Sequence, residues 1–276
     1  MKKLTLLLFI QLVFACSGDK KNDLDEMNLK GKVKSLKETT YSAVEKFGET
    51  VKDEFEGRYE YFFNDDGFIK ETDIFNENDE LKIRWKRKYD DDGNFIESNM
   101  YNNDGELEEK RKGKYDNDGN VIEVNYYDKD GELMHKSKRK YDDDGNRIEQ
   151  NRYDKDGELL YKRKFKYDDD GNLIEENRYN ENGELLYSWK NKYDETGNWM
   201  EQNIYKEDEL IEKKKLKYDN DENMIEESSY NENGELFYKW KYKYDEFDEE
   251  KNWLTRIGYN DGKAAEIIER EIEYYD

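Results

Sequence analysis

Several residue types that carry chemistry are scarce in this 276-residue chain, and their scarcity narrows the possible functions. One cysteine and one histidine exclude an intramolecular disulfide, a multi-cysteine zinc site and any metal site that needs two imidazoles. Proline is absent, so no strand is interrupted by a residue that lacks its amide donor. Acidic residues outnumber basic ones by 71 to 48, and the net charge of −23 argues against nucleic acid as a partner.

Hydrophobic residues are also few, at 34% of the chain against 43% charged residues. Such a composition is typical of disordered proteins. However, 24 tyrosines, 12 phenylalanines and 5 tryptophans are too many for a solvated tail. We therefore expect a folded protein with little interior.

The N-terminus begins with two lysines followed by an apolar run, MKKLTLLLFIQLVFA over residues 1–15. This is the pattern of a signal peptide, and the run is too short to span a bilayer. It ends at Cys16, the only cysteine, and so resembles a bacterial lipoprotein lipobox. The resemblance implies cleavage before Cys16, acylation of that residue, and attachment to the bacterial outer membrane on its periplasmic or cell-surface side. Residues 16–29 would then be the lipidated cysteine and a flexible tether.

Two interleaved motifs recur through the rest of the chain. Tyr-Asp-x-x-Gly-Asn repeats every 26 residues, with its tyrosine at positions 89, 115, 141, 167 and 193. Tyr-(Asn/Asp)-x-(Asn/Asp)-Gly-Glu-Leu lies between these copies, and its copy at Tyr205 lacks the glycine, which shortens one step to 25 residues. Each unit therefore consists of two half-repeats.

The repeated motifs predict turns and the segments between them predict strands. Asp168-Asp169-Asp170-Gly171 fits a type I turn closed by a left-handed glycine. We expect an all-β fold, an elongated antiparallel β-meander of 26-residue double-hairpin repeats that forms an open single-layer or coiled sheet. Residues 30–57 would form an N-terminal capping hairpin, 58–244 the repeat array, and 245–276 the C-terminal capping strands.

A three-residue turn sets the register and so the two faces of this sheet. It places Tyr167 opposite Leu173, and uninterrupted pairing then places Phe165 opposite Glu175. This register predicts one aromatic face, which also carries Glu175 and Asn177, and one lysine-rich face. The lysine rows keep the sheet soluble or bind an anionic polysaccharide or lipid headgroups.

The string from Phe165 to Leu173 resembles the YD repeat of the RHS family, and Tyr179 to Leu185 is similar to MORN-variant repeats. The flanks at residues 31–41 and 269–275 resemble bacterial envelope lipoproteins of unknown function. RHS proteins are often labelled carbohydrate-binding, although giant RHS shells also carry toxin domains. The resemblance implies a repeat architecture and an envelope location, with carbohydrate as one candidate ligand.

The aromatic face is the best candidate for a site. The proposed ligand-binding residues are Trp85, Trp189, Trp240, Tyr187, Tyr238, Glu175 and Asn177. Flat rings stack on sugar faces while neighbouring polar groups bind sugar hydroxyls. The alternative is that these rings pack against one another as the core.

Other clusters point to structure rather than chemistry. The Asp-rich turns lack the spacing of an EF-hand, so we expect no metal and no cofactor. Glu175 and Glu176 are adjacent on a strand and point to opposite faces, so they do not form a catalytic pair. His135 occupies a repeat position that is tyrosine in neighbouring units. We therefore expect a protein that is not an enzyme.

The sequence thus predicts a non-catalytic envelope lipoprotein that acts as a repeat-based binding or interaction module. Its partners would be the membrane, through the lipid at Cys16, and a glycan or an envelope protein. The alternatives are an immunity or antitoxin-like protein-interaction module and a purely structural spacer.

Overall fold

A computed structural model describes residues 22–90 and 92–276 of the chain, so the segment 1–15 predicted to be a signal peptide and the predicted lipidation site Cys16 lie outside the described residues. The described residues form a short helix followed by 18 antiparallel strands. These elements are α1 (Asp23–Glu26), β1 (Val33–Lys46), β2 (Glu49–Phe63), β3 (Ile69–Phe75), β4 (Leu81–Tyr89), β5 (Phe95–Asn102), β6 (Leu107–Tyr115), β7 (Val121–Asp128), β8 (Leu133–Tyr141), β9 (Arg147–Asp154), β10 (Leu159–Tyr167), β11 (Leu173–Asn180), β12 (Leu185–Tyr193), β13 (Trp199–Lys206), β14 (Glu209–Tyr218), β15 (Met224–Asn231), β16 (Leu236–Phe247), β17 (Trp253–Asn260) and β18 (Lys263–Tyr274). Among these residues, no helix has the length and apolar composition needed to cross a bilayer.

The sheet is closed. Each strand pairs with the next one along the chain, and β1 also pairs with β18, with Thr39 opposite Glu269. The all-β antiparallel meander is confirmed, but the prediction of an open or coiled single-layer sheet is wrong. The protein is an 18-stranded barrel. The segments 30–57 and 245–276, assigned from the sequence to end caps, contribute strands to its wall: β1 pairs with β18 across the seam, and each also pairs with the strand next to it in the chain.

The repeated turns form as the sequence predicts. In the turn after β10, the amide of Asp168 donates to the carbonyl of Asn172 at 3.0 Å, and Gly171 has a φ of 82°. The half-repeat without glycine closes instead through Glu207 and Asp208, which have φ values of 48° and 68°. Two consecutive positive φ values fit a two-residue type I′ turn, which accounts for the one-residue shorter step.

A β-bulge follows the turn and was not predicted from the sequence. Tyr167 pairs with Leu173 as expected, but the next pair joins Lys166 to Glu175. Ile174 is therefore left over as the extra residue of the bulge. The register shifts by one residue, and every later side chain of β11 lies on the face opposite to the predicted one.

The bulge changes which polar residues accompany the aromatic rings. Phe165 and Trp189 both pair with Glu176, not with Glu175. The prediction that Glu175 and Asn177 share the aromatic face is therefore wrong, and both lie on the other face.

The same bulges explain why the sheet closes. Almost every hairpin carries a register shift next to its turn. Each bulge bends its strand and increases the local twist. Repeated around the sheet, these bends bring β18 back to β1, and a barrel with this many strands surrounds a wide interior.

The segment before β1 identifies the inside of the barrel. The Asn22 amide side chain donates to the carbonyl of Asp66 at 2.8 Å, and that of Asn28 donates to the carbonyl of Asp221 at 3.4 Å. These two acceptors lie in the β2–β3 and β14–β15 turns, so the segment crosses part of one mouth, which we call the first mouth. It packs in a buried cluster formed by Leu24, Leu29, Val33, Leu36, Phe63 and Ile69. The wall face that carries Leu36 and its register neighbours is therefore the inner face.

Candidate binding site on the inner wall

A row of alternating aromatic rings and guanidinium groups follows the inner wall from β4 to β11. In order around the barrel, the row consists of Trp85, Arg111, Tyr126, Arg152, Tyr161 and Arg178. Successive guanidinium carbons lie 4.3 to 6.0 Å from the ring centroids, which is the range of cation–π contacts. We refer to these six residues as the inner row.

The five aromatic residues proposed from the sequence all lie on the inner face. Trp85 belongs to the inner row, where Arg111 covers its ring. Trp189 stacks on Tyr187 in β12 at 5.7 Å between centroids, and Trp240 lies 6.3 Å from Tyr238 in β16. All five are partly exposed, so flat aromatic surface faces the interior of the barrel.

Glu175 and Asn177 instead form part of the outer wall. The Asn177 amide donates to a carboxylate oxygen of Glu175 at 2.5 Å, and Lys166 donates to the same oxygen at 2.9 Å. Partial burial alone would raise the pKa of Glu175, but the hydrogen bonds from Lys166 and Asn177 outweigh it, and the pKa is lowered. These two residues are satisfied by their neighbours on the outer wall and do not join the aromatic site.

The outer wall repeats this arrangement around the barrel. Glu149 lies between Lys140 and Lys162, at 3.1 and 2.8 Å, and accepts from the Asn151 amide at 3.0 Å. Burial opposes ionisation of Glu149, but these hydrogen bonds prevail and lower its pKa to about 2. The equivalent carboxylates that contact lysine are Glu97, Glu123, Glu149, Glu175, Glu201 and Glu226. The lysine rows therefore belong to a charged outer layer.

His135 lies in the inner wall beside Tyr126 and Arg152. Its ring lies 4.2 Å from the ring of Tyr126, and its Nε2 contacts the guanidinium of Arg152. Burial and the charge of Arg152 outweigh the opposing charge of Glu109 and lower the pKa of His135 to about 4, so the imidazole is neutral at pH 7. His135 stacks as a ring of the wall, as the tyrosines at its repeat position would.

The carboxylates that begin the acidic turns accept hydrogen bonds from backbone amides of the same turn. In the β8–β9 turn, one carboxylate oxygen of Asp142 accepts from the amides of Asp144 and Asn146 at 3.1 and 2.7 Å. Within residues 22–90 and 92–276, no group of three His, Cys, Asp or Glu side chains is placed to hold a metal ion. These carboxylates stabilise the turn that they begin.

None of the arginines of the inner wall was proposed as a site residue from the sequence, although a signal for them exists. Several strands contain a Lys-Arg-Lys triplet, as in Lys110-Arg111-Lys112 and Lys162-Arg163-Lys164. Because neighbours on a strand face opposite sides, the arginine is directed inward and both lysines outward. Arginine suits the interior because its planar, weakly hydrated group stacks on rings.

Comparisons with known proteins give distant likenesses. No family model matches the chain, and no curated protein matches it. A porin-like protein from Bacteroides uniformis is 10% identical with a TM-score of 0.47, over 88% of this chain and 99% of that chain. The Photorhabdus luminescens Tc holotoxin pore is 11% identical with a TM-score of 0.37, over 77% of this chain and 12% of that chain. A DUF1329 family protein from Desulfovibrio piger is 9% identical with a TM-score of 0.25, over 91% and 89%. All three TM-scores are below 0.5, so these likenesses support no statement about the function of this chain.

Proposed function

We propose that this chain is a non-catalytic binding module of the bacterial cell envelope and that its inner wall binds a glycan. The observation that carries the proposal is the inner row, together with the stacked pair of Tyr187 and Trp189 and the tilted pair of Tyr238 and Trp240. Aromatic rings stack on the apolar faces of sugars, and guanidinium groups donate to their hydroxyls.

The exposure of these rings favours binding over a purely structural role. The described apolar side chains with at most 1% exposure, Val33, Leu36 and Phe63, belong to the cluster beside the first mouth. Trp85, Trp189 and Trp240, farther along the inner wall, keep partial exposure because they line an interior enclosed by 18 strands. Partly exposed rings beside polar donors are typical of sugar-binding surfaces.

The envelope location rests on the signal-peptide pattern and on Cys16. Asn22, which lies at the first mouth, is six residue steps along the chain from Cys16, and six extended steps reach about 20 Å. A lipid at Cys16 would therefore hold the first mouth near the membrane. Replacing Cys16 by alanine should abolish labelling of the protein by a fatty-acid analogue, and persistent labelling would refute the anchor.

The binding proposal is tested on a glycan array with the purified protein. Trp189→Ala and Trp240→Ala should each abolish or strongly weaken glycan binding while the circular dichroism spectrum stays unchanged. Tyr205→Ala is the matched control because this ring lies on the outer wall beneath Lys190, 5.0 Å from its ammonium group. Binding that survives both tryptophan substitutions would overturn the proposal, and unfolding by either would assign the rings to the core.

A further inference from the structure

Arginine is concentrated in one stretch of the inner wall, from β8 to β11. The five inner-face arginines there, which we call the arginine sector, are Arg139, Arg147, Arg152, Arg163 and Arg178. The register places two carboxylates on the same stretch of inner face, Glu176 and Asp154. Glu176 pairs with Arg163, whose Nε lies 2.6 Å from its carboxylate oxygen. Positive charge therefore exceeds negative charge on this part of the wall.

Arg147 is the residue of the sector that the fold needs least. In the other units its position carries an apolar side chain, namely Phe95, Val121, Leu173, Trp199 or Met224. Arg147 is 8% exposed, and its guanidinium lies 4.3 Å from the centroid of Phe165. Burial, reinforced by the nearby charge of Arg139, lowers the pKa of Arg147 to about 10. Retaining a buried cation where a leucine would pack is destabilising.

Unsatisfied polar atoms occur at Arg147 and at two other residues of the same inner face. Within the described residues, the Nε of Arg147 and the Nε of Arg178 are buried without a hydrogen-bond partner. The same is true of Oε1 of Gln150, the next inner-face residue of β9, whose amide donates to Ser137 at 3.4 Å. Buried polar groups in proteins are normally paired, so a group of this kind points to a ligand that completes it. The unpaired guanidinium donors match an anionic acceptor, and the unpaired amide oxygen of Gln150 matches a hydroxyl donor.

We propose that the arginine sector binds carboxylated sugar residues, with Arg147 as the donor to the sugar carboxylate. Gln150 accepts from a sugar hydroxyl, and the partly exposed Tyr161 supplies ring surface beside Arg152 and Arg178. A planar guanidinium matches a carboxylate through two parallel hydrogen bonds, which are stronger than those to a neutral hydroxyl. This inference rests on the proposed glycan-binding function and specifies its substrate class.

The test compares a galacturonate trisaccharide with the matching neutral galactose trisaccharide by isothermal titration at low salt. The acidic trisaccharide should bind the wild type at least about tenfold more tightly than the neutral one. Arg147→Leu, which installs the residue of the next unit, should weaken acidic binding by about tenfold or more and so remove the preference for the acidic trisaccharide. Without ligand, this variant should also unfold at a higher temperature than the wild type, because the buried cation is gone.

Lys164→Leu is the matched control, since it removes one positive charge from the outer face of β10, the strand that carries Arg163. It should change the affinity for the acidic trisaccharide by less than about twofold. Arg147→Gln gives a second variant, with the same expected loss, should the leucine variant not fold. Equal affinity of the wild type for the two trisaccharides, or full acidic binding by the Arg147 variants, would overturn the inference and leave the glycan proposal standing. Failure of the wild type to bind any glycan on the array would overturn the proposed function itself.

Discussion

The hydroxyl of the tyrosine in the Tyr-Asp motif binds a backbone carbonyl of a neighbouring strand. Removing this single hydroxyl group tests how much the bond stabilises the fold. In six units the tyrosine hydroxyl donates to the backbone carbonyl 20 residues earlier. In β9, pairing with β10 ends at Glu149 opposite Lys164, which leaves the carbonyl of Arg147 beyond the ladder. The hydroxyl of Tyr167 donates a hydrogen bond to this carbonyl at 3.0 Å. In these six units the motif tyrosine therefore binds the carbonyl of the first residue of a bulged strand, and for Arg147 it satisfies a carbonyl that lies beyond the ladder.

Replacing Tyr167 by phenylalanine keeps the ring and removes this hydrogen bond. The net loss of a hydrogen bond is about 1 kcal/mol, and a buried acceptor left open costs about 1 to 3 kcal/mol. We expect the free energy of unfolding to fall by about 1 to 2 kcal/mol. For a chain of this length that corresponds to a decrease of the unfolding temperature of roughly 2 to 8 °C.

Tyr193→Phe provides the matched control. The carbonyl of Leu173 accepts from the Tyr193 hydroxyl at 2.9 Å and also from the Asn191 amide at 2.8 Å, so it stays satisfied in the variant. The loss of stability should be smaller, about 0.5 kcal/mol. Thermal and urea unfolding followed by circular dichroism measure both variants. Equal losses, or no loss in Tyr167→Phe, would refute the idea that the hydroxyl satisfies an otherwise open carbonyl.

Three further predictions concern the seam, the turns and the outer wall. Cysteines replacing Thr39 and Glu269 should form a disulfide seen by mass spectrometry, whereas an open 18-stranded sheet would keep them roughly 80 Å apart and unlinked. Glu222 has a φ of 64° where other units carry glycine, so Glu222→Gly should stabilise the protein by about 1 kcal/mol, and a lowered unfolding temperature would contradict this. The lowered pKa of Glu149, about 2 against an ordinary 4.5, stabilises the fold above pH 4.5, and this contribution is lost as the pH falls toward 2. The unfolding temperature should therefore drop less in Glu149→Gln than in the wild type over this range, and parallel drops would disprove the contribution.

The sequence predicts the hairpins well because each one is specified locally. The pairing of Tyr167 with Leu173 follows from the turn residues alone and is confirmed. The bulge at Ile174 could not be read in the same way, because an extra apolar residue next to Leu173 fits either face of a strand. That one residue exchanges the roles of Glu175 and Glu176, and two of the seven proposed site residues move to the outer wall with it.

The sequence alone determined the 26-residue period, the two kinds of turn and the grouping of Trp85, Trp189, Trp240, Tyr187 and Tyr238 on one face. These features depend on glycines with positive φ and on side chains that alternate along a strand, both of which act over a few residues. The tertiary structure decided the closure of the sheet, the assignment of inside and outside, and the gathering of five arginines on one stretch of the inner wall. Closure depends on bends summed over 18 strands and on the pairing of β1 with β18, strands from opposite ends of the chain. The low hydrophobic content of the chain therefore reflects a barrel whose inner wall is lined largely by rings and guanidinium groups.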